Sequence, residues 1–94
     1  MREQKQARRA EAETRKAAAK IKRDQEQIVT DLEVRIHGLE YKQKQITESM
    51  QNPAAHATGG NASDLSRELT RVQTELVMLS AEWEAESEKL AALA

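Results

Sequence analysis

Between Leu65 and Leu93 the apolar residues are Leu65, Leu69, Val72, Leu76, Leu79, Trp83, Leu90 and Leu93. The steps alternate four and three and lapse only at Glu86. A seven-residue repeat of this kind specifies a helix that buries one narrow seam against another helix. Such a seam is not stable alone, so the rest of the chain has to supply the partner and the turn that brings it round.

The partner is legible upstream. A second seam begins at Ile21 and continues through Ile28, Leu32, Ile36, Leu39, Ile46 and Met50, with Gln25 and Gln43 at polar steps. Its mean step of about 3.6 predicts little supercoiling. Between the two seams lies QNPAAHATGGNAS, Gln51 to Ser63. Pro53 disfavours helix at Asn52, and Gly59–Gly60 supplies turn material. Asn61 or Ser63 can cap the following helix, and Asp64 suits its positive end. Pairing the seams so that positions sum to about 115 sets Met50 against Leu65, Ile46 against Leu69 and Leu39 against Leu76. Leu32 then meets Trp83, and Ile21 meets Leu93 or Ala94. The expected fold is all-α, a two-helix antiparallel coiled-coil hairpin with a basic N-terminal helical overhang. Its expected divisions are a basic lead-in over 1–20, a first helix over 21–51, a connection over 52–63 and a second helix over 64–93. Intramolecular pairing costs only loop closure, so a monomer is expected.

Composition excludes several function classes. There is no Phe, one Trp and one Tyr in 94 residues, too little bulky material to wall an enclosed pocket. No Cys is present, which removes disulfides and thiolate metal sites. No GxxxxGK[ST] or GxGxxG motif occurs, and His37 and His56 lack partners at ligand spacing. No catalytic residue, metal site or cofactor is expected in this stretch. No apolar run approaches the ~20 residues that span a bilayer, and the N-terminus lacks an apolar signal core, so a cytoplasmic protein is expected. Glu82, Glu84, Glu86 and Glu88 read as a solvated face, with Glu86 as a register or solubility device. Trp83, at a heptad position, reads as core.

The charge is unevenly placed. Residues 1–25 carry nine Lys/Arg and four Asp/Glu, whereas residues 52–94 carry three and seven. On a helix, Arg2, Lys5, Arg8, Arg9, Arg15, Lys16, Lys20, Lys22 and Arg23 fall within an arc of roughly 160°. Glu3, Glu11, Glu13 and Asp24 fall outside it. Two readings stand side by side: a solvated, helix-favouring surface, or a phosphate-tracking face on a rigid rod. Without interleaved aromatics there is no base-stacking platform, so binding would be backbone-directed and tolerant of sequence. A membrane-surface helix fits poorly, because the face opposite the charge is mostly Ala.

The run QARRAEAETR, the seam containing DLEVRIHGLE, the stop at NP and the ending AEWEAESEKLAAL together resemble the C-terminal extension of ABC-F ATPases, particularly the uup-like branch. The matching positions are Arg8 to Arg15, Asp31 to Glu40, Asn52–Pro53 and Glu82 to Leu90. Asn52 stands where Asp is usual in that family, and AAHATGG lacks the usual aromatic after the proline. The resemblance implies a module of a larger ATPase, with two cassettes upstream that would hold ATP and magnesium. It also implies action on the ribosome or another nucleic-acid assembly, with DNA, ribosomal RNA or tRNA as the ligand. The competing readings are a structural protein–protein adaptor that uses the acidic second helix or the hairpin tip, and the tRNA-binding helical arm of an aminoacyl-tRNA synthetase.

Overall fold

A computed structural model describes all 94 residues. Two long helices, α1 (Arg2–Met50) and α3 (Ala62–Ala92), are joined through a single turn of helix, α2 (Pro53–His56). The molecule measures 85 × 15 × 14 Å. Its radius of gyration is 23.2 Å, against about 13 Å for a compact chain of similar length. It is therefore a rod two helices thick, as the paired seams require.

α1 runs without interruption from the basic lead-in through the seam. Ala, Arg, Glu, Gln and Lys dominate its first half, and all are good helix formers. The core is a single file of contacts along the two helices: Val29, Leu32 and Ile46 from α1 and Val72 and Leu79 from α3 are buried. Gln25, Ile36, Leu39, Gln43 and Met50 complete the α1 line, half-buried. Those positions step by four and three throughout, so the first seam is also a strict heptad. The sequence reading differs here in two places. Val29, not Ile28, occupies the core, and Ile28 is 44% exposed. Ile21 is also exposed. Taking Val29 rather than Ile28 converts an apparent step of 3.6 into 3.5, the period a two-helix supercoil needs.

Contacts between the helices fit the expected register. Trp83 lies against Glu33 and shares a groove with Ile36. The Gln25 amide reaches one turn back from the level of Leu90 and donates to both the Glu86 carbonyl oxygen (3.0 Å) and its carboxylate (2.6 Å). That register sets every seam residue of α1 against one of α3, Val29 with Glu86, Ile36 with Leu79, Leu39 with Leu76 and Ile46 with Leu69. Asn52 caps α2 by accepting from the Ala54 N–H (3.0 Å), Pro53 starts the turn, and Ala55 is buried at the tip. α2 thus sits at the pivot, and α3 starts at Ala62 with Asn61 at the N-cap position, two residues before the expected boundary at 64.

Two glycines make the return possible. Gly59 has φ +82°, a left-handed conformation that costs most residues strain. A Cβ on Gly60 would collide with the carbonyls of Ala54 and Ala55. The His56 ring closes the tip, its Nε2 donating to the Met50 carbonyl (2.6 Å) at the end of α1.

Candidate nucleic-acid interface

With α3 ending at Ala92, the first twenty or so residues of α1 extend beyond the hairpin as an unpartnered arm. Nothing packs on it, so its side chains project into solvent all round. Arg2, Lys5, Arg8, Arg9, Arg15, Lys16, Lys20, Lys22 and Arg23 are all exposed. Because α1 is one continuous helix across them, the roughly 160° arc drawn from sequence holds in three dimensions. Within it only Lys20 makes an ion pair, to Asp24 at 3.0 Å, one turn on. The other eight cations have no carboxylate within 4 Å. An unneutralised row of this kind concentrates positive potential along one side of a rod.

The two flanks of the hairpin differ from the arm and from each other. On one flank, Lys42 pairs with Glu68 at 3.1 Å. Arg35 and Glu75 line one groove together, a heptad further along. Opposite charges therefore face each other across the seam, which favours the antiparallel orientation. On the other flank α1 presents Glu26, Glu33 and Glu40, all exposed. Across the seam on that flank stand the neutral Ser87, Ser80 and Gln73 of α3, and Glu33 and Ser80 line one groove. None of the three glutamates forms an ion pair.

Trp83 sits on this acidic flank. It is 36% exposed, so the reading of it as a core residue is corrected. Its indole N–H donates to the Glu33 carboxylate (3.2 Å). Trp83 also shares a shallow groove with Ile36, His37 and Ser80. Trp83 stands at the expected level along α1, but its indole lies at the rim of the seam, reaching Glu33, with part of its surface in water.

Glu86 is the one group whose titration the fold visibly alters. The Gln25 amide, and then Lys89 (3.1 Å), hydrogen-bond its carboxylate and hold its pKa below the usual carboxylate range. The Gln25–Glu86 contact was recoverable from sequence, because each residue is a polar lapse in its own seam.

No helix is long and apolar enough to cross a membrane. No curated protein and no solved structure matches the chain. A family model described as the ABC transporter C-terminal domain matches residues 20–88. The matched span runs from the root of the basic arm through the tip and most of α3. This helical rod therefore belongs to the ABC transporter C-terminal domain family.

Proposed function

We propose that this chain is the C-terminal coiled-coil module of an ABC-F ATPase of the uup-like type, and that it contacts nucleic acid through its basic arm. The observation that carries the second half is the arm itself: nine exposed cations on one face, eight of them without an ion pair. A rod bearing such a face needs no pocket to follow a phosphate backbone, since affinity comes from counterion release. The ABC-F assignment is supported by the family match together with the order and spacing of the arm, seam, stop and Trp83 text. On this reading ATP and magnesium are held by cassettes elsewhere in a cytoplasmic parent protein, and this module contributes binding rather than chemistry.

The test is a salt series of binding to duplex DNA and to structured RNA, read by fluorescence anisotropy. Affinity should fall steeply as salt rises, with little dependence on sequence. Reversing Arg8, Arg15 and Lys22 to Glu changes the charge of one edge of the arc by six units and leaves the seam untouched. Binding should then drop by at least ~10-fold, while helicity by circular dichroism stays the same. Equal binding by the triple variant would remove the nucleic-acid reading. Finding an LSGGQ-type signature and cassette motifs in the gene upstream would test the ABC-F assignment separately.

A further inference from the structure

The acidic flank and the basic arm share a spacing that the hairpin itself does not use. Arg2, Arg9 and Lys16 repeat every seven residues along one edge of the arm, and Glu26, Glu33 and Glu40 repeat every seven along the flank of the same helix. All six are exposed, and none is ion-paired. The two stripes cannot meet within one molecule, because both lie on α1, which is one unbroken helix. They can meet between two molecules.

We propose that two copies of this chain pair through α1, antiparallel, with the Arg2–Arg9–Lys16 stripe of each lying on the Glu40–Glu33–Glu26 stripe of the other. In that register Arg2 faces Glu40, Arg9 faces Glu33 and Lys16 faces Glu26, with all three pairs stepping together at about 10.5 Å per heptad. The arrangement is two-fold symmetric about a point near Ile21, so each contact is made twice. At the 3.5-residue period of a supercoil the two stripes lie about 50° apart round the helix along their whole length, so one side of α1 serves both roles. Ala12 and Ala19, on the heptad line that leads into Glu26, adjoin the basic stripe and let the helices approach closely. The arm of each copy covers the groove in which the partly exposed Trp83 lies. Each arm thereby gains the packing partner it lacks in the monomer, and each acidic flank gains the counter-charges that Ser80, Ser87 and Gln73 do not supply.

The pairing uses only one edge of the basic arc. Arg8, Arg15 and Lys22 lie on the other edge, so this inference stands or falls separately from the nucleic-acid reading.

The experiment is a charge swap followed by sedimentation equilibrium. At low salt the apparent mass of the 94-residue chain should rise from 10.6 kDa toward twice that value with concentration. Raising salt from 50 to 500 mM should weaken association by at least ~10-fold. The variant Arg9→Glu/Lys16→Glu and the variant Glu26→Lys/Glu33→Lys should each be monomeric, because like charges then face each other at both stripes. An equimolar mixture of the two should associate again, since each reversed stripe meets its complement in the other variant. Trp83 is the only tryptophan, so its emission should shift when the mixture associates and not in either variant alone. Circular dichroism checks that both variants remain helical. A wild-type chain that stays monomeric to about 1 mM at low salt overturns the proposal. Association that neither variant disturbs, or that the mixture does not restore, overturns it equally.

Discussion

Ile28 and Val29 are neighbours of nearly the same chemistry, yet Val29 is 7% exposed and Ile28 is 44% exposed. A helix turns about 100° per residue, so one position decides which of the two meets α3. Leu32→Ala, at a buried seam position, should cost about 2–3 kcal/mol, and Ile28→Ala less than about 1 kcal/mol. Urea unfolding of both variants checks this, and equal losses would mean that the seam is misplaced. Trp83→Ala should cost about 1–2 kcal/mol, below the range for a fully buried aromatic, because part of the indole is already in water. Glu86 offers a pH readout. Its folded pKa is lowered by Gln25 and Lys89. A depressed carboxylate adds stability above its unfolded pKa of about 4.3, and that stability is lost as pH falls through the folded value. The difference in melting temperature between the parent and Glu86→Gln should therefore be present at pH 7 and shrink as pH falls through and below the usual carboxylate range. A gap that persists unchanged at acid pH would assign the effect to packing.

At the scale of elements, the heptads of Leu65–Leu93 and the stop at Pro53 made two antiparallel helices legible. Hydrophobic spacing also made the register legible, since a sum of about 115 sets every seam position of one helix against one of the other. The depth of Trp83 was not legible, because its indole N–H reaches the Glu33 carboxylate at the rim and an apolar count does not register that contact. Gly38, in mid-helix, has nothing within 4 Å of where a Cβ would stand. Gly38→Ala should therefore stabilise the chain by up to about 1 kcal/mol through helix propensity. Gly60→Ala should instead destabilise it, because the carbonyls of Ala54 and Ala55 occupy that space. Thermal melts of both variants, read side by side, separate a tolerated glycine from a required one.

For the whole molecule, small-angle scattering is the direct check on shape. A monomeric rod gives a radius of gyration near the 23.2 Å of the Cα trace. A collapsed chain would fall toward ~13 Å. The uneven distribution of charge was fully legible in the sequence, because it depends only on composition along a continuous helix. The acidic flank was not, because its lack of partners appears only once the register places Ser80, Ser87 and Gln73 across from it.

α1 also has a mechanical consequence. The same unbroken helix forms both the arm and half of the hairpin, with no proline or loop between them to absorb bending. Whatever grips the arm therefore holds a lever. From its root near Lys20 to the tip at Met50 the shaft is about 45 Å long. A tilt of about 10° at the root would sweep the capped end through roughly 8 Å. Small angular changes where the arm is held become large displacements at Ala55 and His56, with a second helix alongside to stiffen the stroke.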